Sequence, residues 1–158
     1  ANFDYAEAEG PSHPWRWWAS RGVTLAQGGA PNDAEALENA TILLPQGARG
    51  PAFLALPNHY VIRRYNNSVS YALAIGLIAD GAAGKPGLVA TWPNDPPLSQ
   101  AQRIGAQRGL TRLGYDTGGV DGVVGANTRA ALKRWQAANG RIADGYLTAS
   151  LADELARL

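Results

Sequence analysis

A mainly α-helical chain with short β segments, divided into two small domains, is the fold class this sequence predicts. Three observations carry that expectation. The chain has 158 residues, of which 46% are hydrophobic and 17% charged, and its 19 Gly and 10 Pro call for many turns. Charge is unevenly divided: residues 1–96 hold six basic and eight acidic side chains, and residues 97–158 hold eight basic and five acidic ones. The third is the stretch from Gly114 to Gly145, where Asp-Gly pairs at 121–122 and 144–145 bracket one amphipathic segment. Thr128, Ala131, Leu132, Trp135 and Ala138 recur there at helical spacing and share a face, leaving Arg129, Lys133 and Arg134 outside the stripe. Gly140 ends that helix, because glycine tolerates the left-handed turn beyond a helix terminus.

Taken in order, residues 1–14 show no helical or strand period and read as a segment cut from something larger. A short helix opens at Pro14 and closes at Gly22. Its cluster of Trp15, Trp17 and Trp18 fits either a core or a platform for stacking sugar rings. Short strands are expected at 41–44 and 52–56, joined by a turn at Pro45-Gln46-Gly47. Asp33, Glu35 and Glu38 read as solvated charges with no catalytic pairing. Asn58 can cap a helix over about 59–66, and Ser68 a second one over 69–80. Between them Arg64-Tyr65-Asn66-Asn67-Ser68-Val69-Ser70-Tyr71 concentrates hydrogen-bonding side chains, as a capping turn or as a ligand site. Residues 85–97, following Gly81-Ala82-Ala83-Gly84, form a Pro- and Gly-rich linker, with Trp92 placed to dock on one domain. Ser99 caps a helix over 99–113 and Thr148 caps the last one, where Leu151, Leu155 and Leu158 make a closing stripe.

The run Ile104, Gln107, Leu110, Leu113, Gly114-Tyr115, Asp121-Gly122, Gly125, Thr128, Leu132, Trp135-Gln136 and the second Asp-Gly resembles the three-helix peptidoglycan-binding module of bacterial cell-wall hydrolases. The resemblance covers residues 98–158 and implies a non-catalytic domain holding murein in a shallow groove. The groove is expected near Tyr115, Asp121 and Arg129, where a glycine-rich loop exposes backbone donors beside a helix start.

A second resemblance covers residues 1–84. LLPQGARGPAFLALPNHYVIRRYNNSVSYALAIGLIAD is similar to the C-terminal end of the catalytic domain in membrane-bound lytic transglycosylase B-type murein lytic transglycosylases. Residues 3–22 fit the preceding segment of that family less tightly. The resemblance implies part of a lysozyme-like domain whose sugar cleft is lined by Tyr65, Asn66 and Tyr71. It also implies non-hydrolytic cleavage of the β-1,4 bond between N-acetylmuramic acid and N-acetylglucosamine, giving a 1,6-anhydro product. The catalytic Glu of that family lies upstream in a Glu-Ser motif. This chain has no such motif, and Glu7, Glu9, Glu35, Glu38 and Glu154 stand in the wrong context. The chain alone is therefore expected to be inactive, with no catalytic residue of its own. A non-catalytic peptidoglycan-binding protein is the alternative.

Several other classes are excluded or disfavoured. No apolar run is long enough to span a membrane. With no cysteine, neither a disulfide framework nor a Cys-ligated metal site is available. Asp116 to Gly122 lacks the alternating carboxylates and terminal Glu of a calcium loop, so no metal and no cofactor is expected. The basic face of Arg129, Lys133 and Arg134 is too sparse for nucleic acid. The expected partners are glycan strands and the N-terminal remainder of the same protein, in the periplasm or at the outer membrane. No signal peptide is visible and the chain has no Met, from which a processed or truncated product is expected. Residues 1–80 alone should expose apolar surface around Trp17, Trp18, Leu73 and Ile75.

Overall fold

The computed structural model describes residues 3–158. It divides into two compact units, one ending at Trp92 and one running from Pro93 to Leu158. Seven α-helices and a small antiparallel sheet make up the described residues.

In the first unit the sheet has the order β1 (His13–Pro14), β2 (Asn39–Leu43) and β3 (Phe53–Ala55), with Ile42 opposite Leu54. The two expected strands are present, β2 beginning two residues earlier and ending one earlier, and β3 shorter by one residue at each end. β1 was not expected, because two residues carry no period. A 3-10 turn at Tyr5–Glu7 and helix α1 (Trp15–Ala19) flank the sheet. Trp18 is fully buried with Ala8, Ile42 and Leu44, and its indole N–H donates to the carbonyls of His13 (3.0 Å) and Ala40 (2.9 Å). An aromatic side chain is fully buried at little polar cost only when its N–H finds such partners. Trp17 is covered as well: His13 stacks on it at 3.7 Å, and the Arg21 guanidinium lies 3.4 Å from its ring centre. The tryptophan cluster is therefore core, and the sugar-platform alternative falls.

Asn32 caps an unexpected short helix, α2 (Asp33–Leu37), by accepting from the Glu35 amide at 2.9 Å. Helix α3 spans Pro57–Tyr65 and α4 spans Val69–Ala82. Ser68 caps α4 as expected, accepting from the Tyr71 amide at 3.2 Å. Asn58 does not cap α3. The cap is Leu56, with Pro57 in the first turn, where its fixed φ and missing N–H suit a helix start. Helix α4 is apolar nearly all round, yet Ala72 is its one fully buried residue. Val61 (56% exposed), Tyr65 (86%) and Ile78 (70%) are the most open large side chains on these two helices, with Tyr60 and Ile75 less exposed. This corrects the expected set: Trp18 is buried, Trp17 and Leu73 are half-buried, and of the four only Ile75 is exposed. Farther on, Lys85 pairs with Asp80 (3.1 Å) and Glu35 (3.5 Å), and Trp92 stacks on Phe53 at 5.9 Å.

The second unit holds α5 (Gln100–Arg112), α6 (Ala126–Ala138) and α7 (Ala149–Arg157). Ser99 and Gln102 form a reciprocal capping box on α5, and Thr148 caps α7. Ala106, Leu110, Ala131, Leu132, Trp135, Leu147, Ala152 and Leu155 form one core. Ala138 and Leu158 lie outside it, both exposed because each sits at a helix end. Arg141 ties α6 to α7: it lies 4.7 Å from the Trp135 ring and donates to both Glu154 oxygens.

Close approach of α5 to α7 depends on glycine. A Cβ at Gly109 would stand 2.0 Å from the Leu155 carbonyl oxygen, and one at Gly105 would stand 2.9 Å from the Ala156 methyl. Neither atom can swing aside, but the overlap at Gly109 is far deeper than the one at Gly105, so the two substitutions separate. Gly109→Ala is expected to destabilise by about 3 kcal/mol or more and Gly105→Ala by about 1 kcal/mol, read by thermal unfolding. Equal Tm values for the two variants would show that the seam is not where α5 meets α7.

Candidate functional site

Two places in the described residues gather the side chains that the sequence singles out. The first is the connection between α3 and α4. The amide of Ser68 donates to the Asn66 carbonyl at 2.7 Å, and Arg63 donates to Asn67 Oδ1 at 2.7 Å, which tightens the turn. Tyr65 and Tyr71 stand on either side of it with ring centres 6.2 Å apart and planes tilted by 34°. Tyr65 is almost fully exposed, Tyr71 is half-buried, and Asn66 presents its side chain to solvent. The sequence motif thus becomes a pair of aromatic faces flanking an exposed amide. The capping role is real too, but only Ser68 performs it.

Beside this turn, Pro57, Tyr60, Val61 and Arg64 on one face of α3 join Ser12 and Asn39 around a depression of about 350 Å³. Tyr65, Asn66 and Tyr71 do not line it. His59, on another side of α3, is buried, and burial followed by the charge of Arg63 pushes its pKa below the ordinary 6.5. It is therefore neutral at neutral pH, as a packed residue should be.

A general acid working at neutral pH requires an apolar site and a raised pKa. Glu7 pairs with Arg21 at 3.3 Å and Glu35 with Lys85 at 3.5 Å. Glu154 is shifted the wrong way, its pKa lowered by the hydrogen bonds from Arg141. Among the described residues there is also no group of three or more His, Asp and Glu able to hold a metal ion.

The second place is the loop between α5 and α6. Thr117, Gly118, Asp121 and Val123 on the loop face Gly125, Ala126, Asn127 and Thr128 at the start of α6, around a depression of about 200 Å³. Gly125 is the N-cap of α6 and offers no side-chain acceptor to the first-turn amides. Of the three residues expected at a groove, Asp121 lines this depression. Tyr115 packs against the helical core, and Arg129 lies a turn farther along α6, half-buried.

The loop is held by a residue whose role the sequence did not disclose. Gln107 is 1% exposed on α5, and its Nε2 donates to Asp121 Oδ1 (3.0 Å), the Val123 carbonyl (3.1 Å) and Thr128 Oγ1 (3.2 Å). Its Oε1 accepts from the Gly122 amide at 2.8 Å. Asp121 Oδ1 also accepts from the Val123 amide at 2.8 Å. These bonds hold the Asp121 carboxyl below its ordinary pKa of 3.8, the Gln107 bond most of all. The same device recurs at the second Asp-Gly pair. Gln136 Nε2 donates to Asp144 Oδ1 (3.0 Å), and its Oε1 accepts from the Gly145 amide (2.8 Å). Asp144 Oδ1 accepts from the Tyr146 amide at 2.9 Å. A buried glutamine ahead of each Asp-Gly pair is the signal that could have revealed both.

Comparison with known proteins bears on both places. The family model described as Transglycosylase SLT domain matches residues 1–80, and the one described as Putative peptidoglycan binding domain matches residues 99–155. Two crystal structures of SltB3 from Pseudomonas aeruginosa are similar to the chain, each with a TM-score of 0.89. One, in complex with NAG-anhNAM-pentapeptide, is 47% identical; the other, in complex with NAG-NAM-pentapeptide, is 48% identical. Each likeness covers 98% of this chain and 42% of the SltB3 chain, so the present chain spans well under half of that protein's length. No curated protein sequence matches it.

The depressed pKa of Asp121 sets a direction for acid unfolding. A carboxyl that binds its proton less readily when folded stabilises fully above the unfolded value, here 3.8, and loses that contribution as pH falls through the lower folded value. Asp121→Asn should therefore reduce the steepness with which Tm falls in that acid window and leave the neutral-to-mildly-acid slope unchanged. A variant whose acid profile overlays that of the unaltered chain would contradict the assignment.

Proposed function

Because the chain belongs to the transglycosylase SLT domain family and continues into a peptidoglycan-binding domain, we propose that it is the cleft-wall and wall-anchoring part of a murein lytic transglycosylase of the cell envelope. The observation that carries this reading is the family match over residues 1–80, joined to close likeness with a protein crystallised with both NAG-NAM-pentapeptide and its 1,6-anhydro counterpart. A 1,6-anhydro ring forms when the muramic 6-hydroxyl attacks its own anomeric carbon. The attacking oxygen is already tethered to the sugar, so its effective concentration is high and no second carboxylate is needed to activate water. One protonated glutamate suffices, first as acid to the leaving oxygen and then as base to the 6-hydroxyl.

The exposed turn between α3 and α4 supports the roles that the resemblance implies for this chain's residues. Tyr65 and Tyr71 offer aromatic faces to a sugar ring across the α3–α4 turn. Asn66 offers a donor and an acceptor to the N-acetyl group of the reacting muramic acid without adding charge beside the acid. The glutamate is supplied by the remainder of the protein, upstream of this chain. The open apolar side chains on α3 and α4 support that assignment, since a helix apolar all round is normally covered. The second unit holds the glycan strand at the Thr117–Thr128 depression, which Asp121 lines, with Tyr115 and Arg129 lying outside it. Residues 1–84, 85–97 and 98–158 are then the cleft wall, the linker and the anchor, working in the periplasm or at the outer membrane.

This chain is expected to release no 1,6-anhydromuropeptides from purified sacculi, while the complete protein does. In the complete protein, Asn66→Ala should lower kcat by about 10²–10³-fold, the loss typical of one preorganised polar contact, with the fold and sacculus binding retained. Chromatography of the released muropeptides decides the matter. Anhydro products from the present chain, or near-normal turnover by the variant, would overturn the roles assigned.

A further inference from the structure

Gln107 and Gln136 are two buried amides that hold two Asp-Gly turns with the same set of atoms, yet the turns they hold stand in different places. At Gln136 the partners are Asp144 and Gly145, neither of which lines the Thr117–Thr128 depression. At Gln107 the partners Asp121, Val123 and Thr128 all line it. They also belong to opposite walls: Asp121 and Val123 stand on the loop, Thr128 on the first turn of α6.

We infer that Gln107 is the positioning residue of the second unit's binding depression, its single amide setting the spacing between the two walls. The inference rests on the reading that this depression takes peptidoglycan. Two N–H groups serve three acceptors there, so the amide sits between the walls and leans on both. Its oxygen fixes a third point, the Gly122 amide. Other bonds keep the loop attached when the amide is lost: Arg103 Nε donates to the Gly122 carbonyl at 2.7 Å, and Arg134 Nη2 donates to the Asp116 carbonyl at 3.3 Å. Removing the amide therefore alters the distance from wall to wall more than it frees the loop. A site held a fraction of an ångström out of its binding geometry loses affinity even in a folded protein, because the ordering that was built in must now be supplied on binding.

The duplicated clamp provides the control. Gln107→Met and Gln136→Met each remove the same donor and acceptor while keeping a side chain of similar length, so both should lower Tm. Binding to purified sacculi is then measured by co-sedimentation at a temperature where circular dichroism shows each variant folded. Gln107→Met should bind about tenfold more weakly, the equivalent of roughly one to two hydrogen bonds, and Gln136→Met within about twofold of the unaltered chain. If Gln107→Met does not fold, Thr128→Val removes one acceptor at nearly constant volume and should weaken binding by about threefold. Unchanged binding by the folded Gln107 or Thr128 variant, or equal loss in the Gln107 and Gln136 variants, would overturn the inference. Failure of the unaltered chain to bind sacculi would instead overturn the reading on which it rests.

Discussion

The amide of Gln107 and its counterpart in Gln136 solve a problem that the second unit sets for itself. A loop rich in glycine loses about 1–2 kcal/mol of backbone entropy for each residue it orders, whereas a hydrogen bond returns only about 0.5–1.5 kcal/mol net. Hydrogen bonds alone cannot hold such a loop. The core of Leu110, Leu132, Trp135 and Leu155 supplies the driving force, and it can do so only because Gly109 lets α5 lie against the Leu155 carbonyl. What the glutamines add is selection. The Gly122 and Gly145 amides are drawn inside, where an unpaired donor would cost about 1–3 kcal/mol, and each finds the one acceptor that fits. Conformations of the loop that miss the glutamine are penalised, and the surface at Asp121–Thr128 inherits that rigidity.

The first unit is organised around an indole instead. Trp18 fills the centre of a small core and satisfies its N–H on two carbonyls, one just before α1 and one on β2. That fixes the sheet against α1. From the sheet, Pro57 sends α3 outward, and the Ser68 cap starts α4, leaving Tyr65, Asn66 and Tyr71 at the turn. These three residues thus need nothing exotic in their backbone. Their placement follows from two helix starts, and their chemistry from being left uncovered.

Much of this was legible in the residues. Ser68, Ser99 and Thr148 cap the helices they were expected to cap, because a hydroxyl before an apolar run has few other uses. The stripe Thr128, Ala131, Leu132, Trp135 is buried as its spacing requires. Other features escaped for physical reasons. β1 is two residues long and is created by pairing with β2, so no local period announces it. The α2 helix is a single turn: Asp33 is solvated as expected, whereas Glu35 pairs with Lys85. Asn58 was a plausible cap displaced by Pro57, whose own preference for the first turn shifts the helix start. Gly105 and Gly109 read as weak helix formers, and only the neighbouring α7 reveals why glycine is there. Gln107 and Gln136 belong to the run that carries the peptidoglycan-binding resemblance, but what each one holds was not readable from it. Burial of an amide depends on a partner far along the chain, which no helical period records.

If the glutamine clamps are what hold the two Asp-Gly turns in one form, the Gly122 and Gly145 amide protons should be among the slowest to exchange in the protein. Hydrogen exchange followed by NMR at these two positions measures this directly. Protection comparable to that of the Leu110 and Leu132 amides in the helical core, lost only on global unfolding, is the predicted result. Exchange at the rate of an open glycine loop, while the helices remain protected, would contradict the account.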